Sequence, residues 1–137
     1  MRSKWNPLAP VILVADDDPA MREFVAHVLV EAGYNVRVAM DIPRAIEWLQ
    51  LPGVSAAVLD MLFVNSDGRS GLDILRHIRT DPNLQQVPVL MVTGFPLNHS
   101  VIAEVQSLRG EIWHKPIDPA FLVQRLHDLL YDHPVTG

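Results

Sequence analysis

Several polar residues of this sequence stand where apolar runs end, and their types could do chemistry together. Asp16 and Asp17 follow the run VILVA, and Asp60 follows AAVL. Thr93 ends VPVLMVT, and Lys115 ends EIWHK. Carboxylates gathered at one point raise one another's pKa unless a cation lies among them, and hard oxygen ligands suit Mg²⁺. If these residues meet, we expect a divalent cation site there.

A carboxylate at such a site could also act as a nucleophile and form an acyl phosphate. The incoming phosphoryl oxygens would then need a cation, an ammonium group and a hydroxyl donor. Mg²⁺, Lys115 and Thr93 are of these three kinds. The residue types therefore favour phosphoryl chemistry, and they leave open which of the carboxylates is the nucleophile.

Alternating strand and helix patterns would bring these residues to one edge of a sheet. Apolar runs predict strands at 11–15, 34–39, 55–60, 87–94 and 111–115, and each is followed by apolar residues at helical spacing. The first, third and fourth runs do not alternate, as expected of strands buried on both faces. The fold class predicted is α/β, with a doubly wound five-stranded parallel sheet flanked by five helices. Ligands of such sheets bind at the carboxyl ends of the strands, where the five polar residues would lie.

Helix starts are marked by capping signals. Asp18 stands directly before Pro19, so we interpret it as a helix cap and not as a member of the acid cluster. Ser70 and Asp73 have the spacing of a capping box. Asp118 precedes a further proline at the start of the last helix.

Composition and charge exclude several classes of protein. The chain has 137 residues and a net charge of −5, and its 11 basic residues are scattered, which argues against nucleic-acid binding. It has no cysteine, no signal-peptide core and no apolar run long enough to cross a bilayer. We expect a cytoplasmic protein without a membrane or nucleic-acid partner. The predicted organisation is an N-terminal tail at 1–10, one domain at 11–131 and a C-terminal tail at 132–137.

Four motifs stand in the order and near the separations of a known family. They are ILVADDDP at 12–19, AVLD at 57–60, PVLMVTG at 88–94 and HKP at 114–116. With these motifs the chain resembles the receiver domain of two-component response regulators, the family that includes the single-domain chemotaxis regulators. The resemblance implies a flavodoxin-like receiver fold from about Val11 to Leu130.

The resemblance also implies a role for each motif residue. Asp60 would be the phosphoacceptor, and Thr93 and Lys115 would contact the phosphoryl group. The cofactor implied is Mg²⁺, and its predicted ligands are Asp16, mostly through water, Asp17 directly, Asp60, and the backbone carbonyl of Leu62.

The function implied is a phosphorylation-controlled switch in a phosphorelay. Its donor would be the phosphohistidine of a sensor histidine kinase or phosphotransfer protein, and its output would be a further, unidentified protein. We expect no enzyme activity beyond phosphorylation and dephosphorylation of the chain itself. A haloacid-dehalogenase-type phosphatase also uses a strand-end aspartate with Mg²⁺, but Leu62 stands where that family has a second acid.

Two departures from the family keep an alternative open. The segment from Asp60 to Thr93 spans 33 residues, a few more than usual, and Val64 stands where the family commonly has proline. In the family, the position three before the lysine is commonly aromatic. In this chain that position is occupied by Ile112. Trp113 comes one residue later, so on a strand it would lie on the opposite face. The alternative is a degenerate receiver that binds partners without phosphorylation.

Overall fold

The computed structural model describes residues 5–64 and 67–131, and in these ranges five strands alternate with five helices. The first four residues of the predicted N-terminal tail and the whole predicted C-terminal tail lie outside the described residues. In chain order the elements are β1 Val11–Ala15, α1 Pro19–Glu31, β2 Asn35–Ala39, α2 Ile42–Gln50, β3 Val54–Asp60, α3 Gly71–Thr80, β4 Val89–Thr93, α4 His99–Ser107, β5 Gly110–His114 and α5 Pro119–Tyr131.

The five strands form one parallel sheet in the order β2-β1-β3-β4-β5. The predicted doubly wound sheet is therefore confirmed. Register brings the carboxyl ends together, since Ala15 pairs with Leu59, Asp60 with Val92, and Thr93 with His114. The strand order reverses between β1 and β3, and such a point opens a crevice for ligands at the carboxyl edge.

Apolar side chains pack on both faces of the sheet. One face is covered by α1 and α5, and the other by α2, α3 and α4. The strands β1, β3 and β4 are buried along almost their whole length, which explains why their apolar runs do not alternate. Ile112 packs on the α4 side and Trp113 on the α5 side. The prediction that these two side chains lie on opposite faces of the sheet is therefore confirmed.

Side-chain caps fix the helix starts as predicted. The Asp18 carboxylate accepts a hydrogen bond from the Ala20 amide at the start of α1. At the start of α3, Ser70 and Asp73 form both hydrogen bonds of a capping box. These caps satisfy amides that the first helical turn leaves without a partner.

The segment before β1 is held against the sheet by one buried amide. Asn35, only 3% exposed, accepts from the Asn6 amide at 2.7 Å and donates to the carbonyls of Asn6 and Ala9. The backbone N–H of Asn35 donates to the carbonyl of Pro10 at 3.0 Å. Residues 6–10 thus pack at the amino edge of the strands, opposite the edge that carries the acids. In the parts of the chain that the structure describes, no helix is long and apolar enough to cross a membrane.

Candidate functional site

Three carboxylates meet at the carboxyl edge of the sheet. Asp16 and Asp17 follow β1, and Asp60 is the last residue of β3, the neighbouring strand. One oxygen from each carboxylate lies within 4.8 Å of the other two. Asp16 and Asp60 are only 5% and 6% exposed. The acids at the ends of two strands that are distant in sequence therefore form one cluster, and two of its three members are buried.

Lys115 supplies the cation of this cluster. Its Nζ lies 3.4 Å from Asp60 Oδ1 and 3.5 Å from Asp16 Oδ2. The backbone extends β5 toward the acids, because the Lys115 amide donates to the carbonyl of Thr93 at 2.8 Å. Burial lowers the pKa of Lys115, but the charges of Asp60 and Asp16 outweigh burial and raise it. The side chain is thus a fixed ammonium shared by two carboxylates.

Apolar surroundings make the cluster costly to ionise. The side chains beneath Asp60 include Val58, Val92 and Ile117. Burial, and after it the negative charge of Asp16, raise the pKa of Asp60 to about 6, although Lys115 lowers it. Burial likewise raises the pKa of Asp16 and outweighs its hydrogen bond from the Asp18 amide. One ammonium therefore does not compensate the carboxylates, and a further cation would relieve their repulsion.

The donor set of this cluster fits Mg²⁺. Carboxylate oxygens that share one open edge are the ligands this ion takes, and it keeps several waters beside them. Asp16, Asp17 and Asp60 would hold it. Leu62, two residues beyond Asp60, has a side chain that is 52% exposed. The assignment of its carbonyl as a ligand stays a prediction.

Thr93 lies on the adjacent strand, and its hydroxyl is hydrogen-bonded to the loop that follows β4. The residue is fully buried, and its Oγ1 donates to the carbonyl of Phe95 at 2.8 Å. The Phe95 amide donates back to Oγ1 at 3.2 Å. In this conformation Thr93 therefore serves the loop between β4 and α4.

Two backbone hydrogen bonds hold the long loop between β3 and α3, and one of them reaches the acid cluster. The Val64 amide donates to Asp17 Oδ2 at 2.8 Å. The Gly71 amide donates to the carbonyl of Met61 at 2.9 Å, which joins the two ends of the loop. A Cβ atom on Gly71 would lie 2.0 Å from the carbonyl oxygen of Asp60. Only glycine allows α3 to begin this close to the end of β3.

Residue patterns alone assigned no role to three of these contacts. No role was predicted for Gly71, although a glycine directly after the capping Ser70 is a usable signal. Arg22 donates through Nη1 to the carbonyl of Asp16 at 2.9 Å and so fixes the loop that carries the first two acids. This contact, like that of the Val64 amide, involves a backbone group and has no residue-type signal.

Comparison with known proteins agrees with this geometry. The profile of the response regulator receiver domain matches residues 12–127. Chemotaxis protein CheY-3 of Vibrio cholerae is 32% identical over 116 residues, which cover 84% of this chain and 87% of that protein. The phosphate regulon transcriptional regulatory protein PhoB of Escherichia coli is 27% identical over 119 residues, 87% of this chain and 51% of PhoB.

Solved structures have the same fold. A CheY-like response regulator receiver domain protein from Methanospirillum hungatei matches with a TM-score of 0.81 at 19% identity, over 90% of this chain and 95% of that one. Chemotaxis protein CheY4 of Vibrio cholerae matches with a TM-score of 0.78 at 24% identity, over 89% and 99%. Together with the profile match, which spans most of the chain, these similarities show that the protein belongs to the response regulator receiver domain family.

Proposed function

We propose that the chain is the phosphoacceptor switch of a cytoplasmic two-component phosphorelay and that Asp60 receives the phosphoryl group. The donor is the phosphohistidine of a sensor histidine kinase or phosphotransfer protein. The observation that carries the proposal is the position of the Lys115 ammonium, 3.4 Å from Asp60 and 3.5 Å from Asp16, at the open edge of a three-acid cluster. A structural salt bridge needs one acid, whereas phosphoryl transfer needs a nucleophile, cation ligands and an ammonium together.

In the transfer step an Asp60 oxygen forms a bond to phosphorus. The bond from phosphorus to the donor's imidazole nitrogen breaks, and its electron pair stays on the imidazole. Lys115 then moves from pairing a carboxylate to pairing a phosphoryl oxygen, which it can do without leaving the site. Mg²⁺, held by Asp16, Asp17 and Asp60, would supply positive charge to the phosphoryl oxygens when bound. The chain acts only on its own acyl phosphate.

Thr93 supplies the link from the site to the surface. To donate to a phosphoryl oxygen, its hydroxyl must leave the carbonyl of Phe95, which it now contacts at 2.8 Å. That exchange releases the loop that leads to α4, whose cap is Asn98. Phosphorylation adds about −1.5 to −2 charges at the edge of the sheet. We expect it to favour another packing of α4 and β5, which a downstream protein recognises.

A second candidate is a degenerate receiver that binds partners without phosphorylation. The observation that favours it is Ile112, which packs on the α4 side where many receivers have an aromatic residue. The acid cluster and its ammonium favour the first candidate.

Phosphoryl transfer can be tested with small donors. We expect acetyl phosphate with Mg²⁺ to add one phosphoryl group, detected by intact-mass spectrometry, and beryllofluoride with Mg²⁺ to shift the amide NMR signals around the acids. Asp60→Asn should abolish both responses, because it removes the nucleophilic oxygen and nearly preserves side-chain shape.

The control is Asp18→Asn, since Asp18 caps α1 and lies outside the acid cluster. This variant should still be modified. Unchanged mass and spectra of the wild type under both treatments would favour the degenerate receiver. Full labelling of the Asp60→Asn protein would refute the assignment of the phosphoacceptor.

A further inference from the structure

The loop after β3 contacts the acid cluster through a backbone amide. The Val64 N–H donates to Asp17 Oδ2 at 2.8 Å across 47 residues of chain. Val64 is 65% exposed, so its side chain adds little packing to this contact. What the loop brings to the site is therefore the N–H group and not the valine side chain.

We propose that the Val64 amide is a positioning group for the Asp17 carboxylate, one that orients it for cation binding. The inference rests on the proposed function, since Asp17 matters here as a ligand of Mg²⁺. Proline, which the family commonly has at this place, carries no N–H and could not make the bond. Because this chain has valine where the family commonly has proline, it can form a hydrogen bond that a proline at this position would exclude.

The contact can orient Asp17 without occupying it. A carboxylate has two oxygens, and a donor on Oδ2 leaves Oδ1 open while it limits rotation of the group. Groups that hydrogen-bond to a metal-binding carboxylate orient it, and their loss typically weakens metal affinity about 10- to 100-fold.

The donor itself is held in place. β3 ends at Asp60, and the ends of the loop that follows are joined by the hydrogen bond from the Gly71 amide to the Met61 carbonyl. Phe63, directly before Val64, is buried. The amide is therefore held beside Asp17 by a buried neighbour and by a loop whose ends are hydrogen-bonded to each other.

The inference is tested by Mg²⁺ titration of the full chain with isothermal calorimetry. Val64→Ala keeps the N–H, and its dissociation constant should stay within about twofold of the wild type. Val64→Pro removes the N–H, and its dissociation constant should rise at least about 10-fold. Thermal unfolding of each variant without metal shows whether the fold is retained.

A second variant separates the amide from the proline ring, which also restricts Phe63. A backbone ester at position 64, introduced with the α-hydroxy analogue of valine, keeps the side chain and lacks only the N–H. It should weaken Mg²⁺ binding as Val64→Pro does. If the wild type binds Mg²⁺ and the ester form binds it equally well, the Val64 inference is wrong and the proposed function stands. If the wild type binds no Mg²⁺, both proposals are overturned.

Discussion

Asp60 stands at a place that disfavours its charged form. Valine side chains lie beneath it, Asp16 lies beside it, and only Lys115 opposes the resulting rise of its pKa to about 6. In the unfolded chain the same carboxyl has the ordinary value of 3.8. The nucleophile that we propose is therefore kept at a cost to the folded state.

Replacing Asp60 with asparagine should stabilise the metal-free protein at neutral pH. Because the folded pKa is raised, the folded state holds a proton that the unfolded state has lost between pH 3.8 and about 6. The stability that this proton contributes is fully present below pH 3.8, and it is lost as the pH rises through about 6. A pKa difference of this size corresponds to about 3 kcal/mol as an upper value.

The stability difference is measured by urea denaturation of both proteins in EDTA at several pH values. The Asp60→Asn variant should have the higher free energy of unfolding at neutral pH and above, and its advantage should shrink as the pH falls toward the ordinary pKa of an aspartate. An advantage that is independent of pH would show that ionisation of Asp60 is not its cause.

At the scale of single residues, the acids and Lys115 could be predicted from the sequence because each follows an apolar strand. Parallel pairing then brings strand ends to one edge whatever the loops do. The contributions of Arg22 and of the Val64 amide could not be predicted in this way. Each depends on where a backbone carbonyl or amide lies in space, and any residue type carries those groups.

At the scale of elements, strands and helices were predicted well where side chains determine them. The caps at Asp18 and Ser70 were identified because capping oxygens have few alternatives in those positions. Boundaries were less accurate. The fourth strand was predicted to begin at residue 87 but begins at Val89, because Pro88 has no N–H and contributes only its carbonyl, to Ala57.

The approach of α3 to β3 makes a sharp prediction at Gly71. Gly71→Ala should lower the free energy of unfolding by about 3 kcal/mol, because its Cβ would lie 2.0 Å from the backbone oxygen of Asp60. The three nearest atoms all belong to the backbone of Asp60 and Met61, which leaves little room to relax.

Gly94→Ala is the matched control for this measurement. A Cβ at Gly94 would meet only the Lys115 side chain, at an ordinary 3.7 Å. Chemical denaturation of both variants should show a large loss for Gly71→Ala and a loss of less than about 1 kcal/mol for Gly94→Ala. Equal losses in the free energy of unfolding would show that the close approach of Gly71 to the Asp60 carbonyl is not the reason why this position needs glycine.

At the scale of the whole molecule, the two faces of the sheet are built differently around β5. On the α5 face, Glu111 accepts a hydrogen bond from the Trp113 indole N–H at 2.6 Å. It also accepts from Nε and Nη2 of Arg125. On the α4 face, Ile112 packs against the apolar core. Trp113 is therefore tied to α5 through Glu111, whereas Ile112 packs in the core.

We expect the response to beryllofluoride to divide along these faces. The amide signals of Ile112 and of α4 should shift in NMR spectra, whereas the indole N–H signal of Trp113 should move little because its acceptor is fixed. Glu111→Gln weakens that anchor and should allow the Trp113 signal to respond. A large Trp113 shift in the wild type would contradict this division.

The closed loop after β3 also has a practical consequence for protein engineering. The hydrogen bond between Gly71 and Met61 joins the ends of the loop. We therefore expect a change in loop length to leave β3 and α3 in place. The exposed turn at Asp67 and Gly68, where φ is positive, follows the Val64 contact and precedes the helix cap. A short epitope or lanthanide-binding peptide inserted at that turn would lengthen the loop at little entropic cost. The turn is thus a suitable attachment point for a luminescent reporter on the loop that follows Asp60.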